Sequence, residues 1–300
     1  MSQTESTFEA FRREPPLPLA PRPLNLPARE EWTLENGLRV IFVEQPRLPL
    51  VSFRLAFRTG DAHDPPELPG LSDILTVMLN EGTQTRTSRQ IADEVARIGA
   101  TLNAGSNSDY TTIAASALTP FAAELLELLA DITLHPSFPE NELELTKQNA
   151  LQNLIVQRGQ PSFLANERMA RVIYGAHPYA VVSPTPESIG ALARARLAEF
   201  HRATFIPNNA VLVCGGDFKR TEMRAHIERH FGAWAAGETS TIEFPAPPTR
   251  DRRSAYLVDR PGSAQSNIII ANSAITRTHP DYFPLLLMHT VLGANASSRL

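Results

Sequence analysis

Leu71, Ile74, Leu75, Met78 and Leu79 recur at i, i+3, i+4, i+7 and i+8, the spacing of one buried face of a helix, and Gly82 follows as a stop. The pattern predicts a helix over about 70–80. The same reading predicts helices near 88–98, 120–133, 140–158, 162–174, 186–203 and 220–231. Thr87-Ser88-Arg89-Gln90 is a capping box for the second of these, which Gly99 terminates. Thr185 followed by Pro186 marks another start, as N-cap and first helical position. Apolar runs of strand length fall near 38–43, 50–58, 101–107, 110–117 and 210–216. The elements do not repeat as strand-helix-strand units, so the predicted class is α+β rather than a doubly wound sheet.

Prolines divide the chain. Pro15, Pro16, Pro18, Pro21, Pro23 and Pro27 make residues 1–30 an extended, polyproline-like arm, leaving 31–244 as a first domain. Pro245, Pro247 and Pro248 read as a linker over 245–254, and 255–300 as the start of a second unit.

Composition narrows the function classes. A 300-residue chain with 42% hydrophobic content can bury substantial cores. A formal charge of −4 offers no basic face for nucleic acid. No apolar stretch reaches the length of a membrane span, and the N-terminus lacks the apolar core of a signal peptide. The expected location is the cytoplasm, with the periplasm as the alternative. The single cysteine, Cys214, sits in the apolar run 210–214 and reads as a buried strand residue.

Chemistry belongs on the polar stripe of the helix over 70–80, where residues three and four apart are neighbours. Asp73, Thr76 and Val77 share that stripe. An aspartate can give one oxygen to a metal, but threonine is no general base at neutral pH and valine has no lone pair. Other histidines offer little. His226 and His230 stand i, i+4 on a helix without a third ligand nearby in sequence, and His177 precedes a proline in a turn. His63, with Asp61, Asp64 and Asp73, reads as ordinary loop charge, with an improvised oxygen-rich metal cluster as the alternative.

Residues 70–83, Gly-Leu-Ser-Asp-Ile-Leu-Thr-Val-Met-Leu-Asn-Glu-Gly-Thr, resemble the zinc helix of the insulinase/pitrilysin peptidases with every metal-binding side chain replaced. In that family's inverted motif His-x-x-Glu-His, positions 73 and 77 carry the imidazoles and position 76 the base. The resemblance continues through Asn36-Gly37-Leu38-Arg39-Val40, Leu48-Pro49-Leu50-Val51-Ser52, Leu102-Asn103-Ala104, Asp109-Tyr110-Thr111, and Tyr174-Gly175-Ala176-His177-Pro178-Tyr179. It ends with Phe205-Ile206-Pro207-Asn208-Asn209-Ala210, Gly215-Gly216-Asp217, and the segments 256–263 and 265–270, which resemble the opening strands of a second, homologous domain. The family's distal glutamate ligand, roughly 75 residues after the second histidine, matches Asn153, an uncharged amide.

This resemblance implies a mixed or antiparallel sheet with helices packed on one side, one complete domain and the start of another. It implies no catalytic residue and no metal ligand in this chain, with zinc carried by a homologous partner subunit. Asn103 and Ala104 would lie on the edge strand that receives an extended peptide. In the two-chain relatives the zinc-free subunit supplies an arginine and a tyrosine from its second domain, which would lie beyond Leu300. The reading is therefore a zinc-free partner subunit of a heteromeric metallopeptidase, inactive alone, and a fragment of a longer protein. The alternatives are a structural assembly subunit like the core proteins of respiratory complexes, and an autonomous peptidase with a rebuilt metal site.

Overall fold

A computed structural model of the chain describes residues 19–20, 23, 26–239, 242–293 and 298–299. The proline-rich arm lies largely outside the described residues. Six strands form one sheet in the order β1-β2-β6-β3-β5-β4: β1 (Glu30–Thr33), β2 (Arg39–Glu44), β3 (Leu50–Phe57), β4 (Thr101–Ser106), β5 (Thr111–Leu118) and β6 (Ala210–Gly216). Only β2 and β6 run parallel; the other neighbours are antiparallel, so the sheet is mixed. Period-two alternation decides which face is covered. Val40, Phe42, Phe53, Leu55, Phe57, Ile113, Leu212 and Cys214 are all buried on one face. Ser52, Arg54, Asn103, Ser116 and Val213 line a shallow depression on the other.

Helices α1 (Leu71–Met78), α2 (Ser88–Arg97), α3 (Ala122–Leu134), α4 (Glu140–Arg158) and α5 (Pro161–Tyr174) follow the sequence reading within a residue or two. So does α8 (Arg220–Phe231). α3 packs on β5 and α8, and α1 on β4 and α4. The predicted helix over 186–203 is in fact two, α6 (Pro186–Ala191) and α7 (Arg194–Thr204). Leu192 takes extended backbone and buries its side chain, and its freed carbonyl accepts from Lys147 Nζ at 3.2 Å. Tertiary packing overrides local helical preference there.

β1 has no counterpart in the periodicity reading. Its four residues are held from a distance: Trp32 meets Phe42 edge-on at 4.4 Å, and Arg224 lies 4.5 Å over the Trp32 ring. Arg220 and Arg224 both reach Glu30. In the opposite direction, 256–263 and 265–270 resemble strands but form none among the described residues. A strand exists through its ladder, and with no neighbour paired to them Leu257, Ile268 and Ile270 stay exposed. The last helix, α9 (Tyr282–Gly293), likewise leaves Phe283, Leu287 and Val291 exposed.

The core centres on Phe57, which is 1% exposed and packs 4.2 Å from Phe205 and 6.0 Å from Trp234. Truncation there removes a ring that joins the sheet to Phe205, at the end of α7, and to Trp234, in the chain after α8. Phe57→Ala is expected to destabilise the fold by about 3–5 kcal/mol. The check is the denaturation midpoint, which should fall with little change in the slope of the transition.

Candidate functional site

α1 begins with help from outside itself. Gly70 adopts φ 93°, and the Asp64 carboxylate accepts from Gly70 N (2.8 Å), Ser72 N (3.0 Å) and Ser72 Oγ (2.6 Å). These are the donors a helix N-terminus leaves unpaired. Burial pushes the Asp64 pKa up to about 7, against the lowering effect of the Ser72 and Gly70 donors. Asp64 is therefore occupied as the anchor of α1.

Two of the three stripe positions share an open face. Asp73 and Val77, one turn apart, both reach solvent, Val77 being 45% exposed. Thr76 is buried, and its hydroxyl donates to the Asp73 carbonyl at 2.8 Å, so its proton is committed to the helix backbone. Asp73 is exposed, yet the protein around it desolvates its carboxyl in part. That partial desolvation, with the nearby Asp61 charge added, pushes its pKa up to about 6. Across from α1, α4 is joined to it by Thr146 Oγ1 donating to Met78 Sδ at 3.5 Å, and Asn153 is exposed on the same helix, α4.

Catalytic zinc takes three protein ligands and keeps a fourth position for water. Here the four positions offer one carboxylate, one committed hydroxyl, one alkyl group and one neutral amide. That donor set does not fit zinc. Among the described residues no group of three or more His, Cys, Asp or Glu side chains is placed to hold a metal ion. Cys214 is fully buried, and burial raises its thiol pKa well above the ordinary range. His201 is pushed down to about 4 by burial while Nε2 sits 2.8 Å from the Thr133 carbonyl, the arrangement of a neutral core histidine.

β4 pairs only with β5 and so ends the sheet beside α1. Asn103 faces the open side of the sheet, while Ala104, opposite Ile113, packs against the core. Among the described residues the outer backbone edge of β4 has no strand partner. An extended peptide can add there through main-chain hydrogen bonds.

The first half of this arrangement, residues 39–181, matches the family model described as Insulinase (Peptidase family M16). Residues 191–300 match a second model, described as Peptidase M16 inactive domain. The chain belongs to the insulinase (M16) peptidase family. Among M16-type relatives, the uncharacterized zinc protease YmxG of Bacillus subtilis is 26% identical over 274 residues, covering 90% of this chain and 65% of its own length. The uncharacterized zinc protease ML0855 of Mycobacterium leprae is 26% identical, covering 89% and 61%. The chain thus spans under two thirds of the length of these relatives. Of solved M16 structures, the peptidase M16 inactive domain from Pseudomonas fluorescens has a TM-score of 0.68 at 28% identity, covering 73% of this chain and 54% of that one. A protease from Helicobacter pylori superposes with TM-score 0.69 at 22% identity, covering 75% and 55%, a likeness of fold.

Sequence reasoning placed the degenerate positions on two helices, and the structure packs those helices together. It missed a cluster at the same end of the sheet: His63, Tyr174, His177, Tyr179 and Phe244, whose rings lie 4.4–5.9 Å from their neighbours. Contacts between such distant segments leave no periodic trace in sequence.

Proposed function

We propose that this chain is part of a zinc-free M16 homologue that serves as partner subunit to a zinc-bearing homologue, the pair hydrolysing extended peptides. The observation that supports this reading is the pairing of a helix without zinc ligands with an edge strand beside it. Asp73, Thr76, Val77 and Asn153 supply neither imidazole nor general base, while β4 keeps its free edge next to α1. Loss of the metal chemistry with retention of the strand that would align a substrate suits a subunit that binds and encloses. Asn103 and Ala104 are the proposed substrate-binding positions. The alternative of a rebuilt metal site on His63, Asp61, Asp64 and Asp73 is disfavoured because Asp64 already holds the start of α1 and His63 Nδ1 accepts from Gly60 N.

The test is mass spectrometry of what co-purifies with the full-length gene product from its own cells at native level. A stoichiometric homologue bearing His-x-x-Glu-His is the expected result. Recovery with respiratory-chain subunits supports the assembly-protein alternative instead. Stoichiometric zinc in the isolated chain, lost in Asp73→Ala, overturns the zinc-free reading.

A further inference from the structure

From residue 242 to 260 the chain has neither helix nor strand, and every residue is exposed except Phe244. Phe244 is held between two imidazoles. His63 and His177 each lie 5.5 Å from its ring centroid, at 78° and 61°, both edge-to-face geometries. The rest of the segment is pinned close by. Pro248 passes Gly175 so closely that a Cβ there would sit 3.0 Å from Pro248 Cδ, and Arg250 Nη1 donates to the Val172 carbonyl at 2.9 Å.

Both imidazoles are oriented by the same device, a backbone N–H directed at Nδ1. Gly60 N–H donates to His63 Nδ1 at 3.2 Å, and Tyr179 N–H donates to His177 Nδ1 at 3.1 Å. A ring nitrogen that accepts an N–H has no room for a proton of its own, so the remaining proton sits on Nε2. Protonation of either ring sets N–H against N–H and breaks the bond that orients it. We propose that His63 and His177 form a pH-sensitive latch that holds Phe244, and with it residues 242–250, against the end of the sheet, and that acidification releases the segment.

The latch is tied at both histidine segments to the turn between β4 and β5. Asp61 N and Ala62 N donate to the Asn107 and Ser108 carbonyls in the β4–β5 turn. That approach requires Gly60, since a Cβ there would meet Asn107 O at 1.9 Å. Tyr179 Oη donates to Asp109 in the same turn, and this hydrogen bond raises the Tyr179 pKa to about 12. Release of the segment would therefore be sensed beside the free edge of β4.

The charged and titratable groups around the two rings are Asp61 and Asp64 on the entering loop, Asp109 on the turn, Tyr174 at the end of α5, Tyr179 after it, and Glu243 beside Phe244. Burial lowers the His63 pKa below its usual value, opposed by the Gly60 backbone hydrogen bond and then by Asp109. A histidine whose pKa is depressed in the docked state favours docking fully above its free value of about 6.5, and the contribution disappears as pH falls through the docked value. Asp64, titrating near 7, bears on the start of α1 and makes no bond to Phe244.

The experiment is 19F NMR of the full chain labelled with fluorophenylalanine, with the Phe244 resonance assigned by its loss in Phe244→Leu. In the wild type the resonance is expected to move from a docked to a random-coil position between pH 7.5 and 5.5, by more than half of the full shift. In His63→Phe/His177→Phe, which keeps two ring faces but cannot titrate, it is expected to stay docked throughout. The single variant His177→Gln, an acceptor for Tyr179 N–H without the titration, should show a reduced amplitude. A wild-type resonance that does not move, or variants that titrate with the wild-type amplitude and midpoint, overturn the latch.

Discussion

A chain carrying Asp73→His, Val77→His and Asn153→Glu is expected to bind one zinc ion with a dissociation constant on the order of 1 µM or tighter, near −8 kcal/mol, whereas the natural chain shows no stoichiometric binding. The expectation follows from geometry the fold already supplies. Positions 73 and 77 are one turn apart on the open face of α1, both in contact with solvent, which is how a helix presents two imidazoles to one ion. α4, carrying position 153, is packed against α1. Thr76 is left unchanged because it is buried, and a glutamate there would serve as base without adding a ligand. Isothermal titration reads the affinity, and proton release on binding should rise as the two histidines are stripped of protons at lower pH. Any one of the three substitutions alone should gain little. If the triple variant binds no better than the single ones, the assignment of Asn153 to the distal position is wrong.

The second large effect is expected at Arg86, where Arg86→Ala should cost about 3–5 kcal/mol. Arg86 is 20% exposed and donates from Nη1 to Asp131 at 2.8 Å, from Nε to Glu94 at 3.0 Å and from Nη2 to Glu127 at 3.2 Å. Asp131 is only 9% exposed at its side chain, and it also accepts from Thr83 Oγ1 at 2.8 Å and Thr85 Oγ1 at 3.2 Å. The network ties the loop after α1 to α2 and α3. Removing the guanidinium leaves a buried carboxylate with two hydroxyl donors and no countercharge. Arg86→Ala/Asp131→Leu should therefore recover most of the loss, because the penalty lies in the unpaired charge more than in the missing attraction. Thermal unfolding of both variants separates the two contributions. If the double variant is as unstable as Arg86→Ala, the ion pair is not where the cost arises.

How much of this was legible beforehand depended on the range of the interactions. α4, α8 and β6 have in the structure the bounds the sequence predicts, because local breakers mark their ends: Pro139 and Gly159 around α4, Gly232 after α8, and Gly215-Gly216 closing β6. The mixed sheet and one-sided helices followed from the family resemblance, and the structure has both. β1 was invisible because four residues without a repeat are fixed only by Phe42, Arg220 and Arg224 far along the chain. The break at Leu192 escaped for the same reason, since the Lys147 side chain that satisfies its carbonyl comes from α4. The replaced stripe on α1 could be read directly, as side-chain chemistry at known helical spacing. The ring cluster around Phe244 could not, because its members come from three separated segments.

The position of β6 has a consequence for how the chain is made. β2 and β3 follow one another in sequence, yet in the sheet they are separated by β6, which pairs with both. The easiest early event, a local hairpin between neighbours, is thus denied to the middle of the sheet. During synthesis β2 and β3 emerge with apolar rows that include Phe42, Phe53 and Phe57, and must wait for Ala210–Gly216 before the ladder between them can close. Such non-local closure is slow and leaves sticky edges bare in the interval. The growing chain is a natural client for chaperones, and its yield should respond to translation rate more than to the stability of the finished fold.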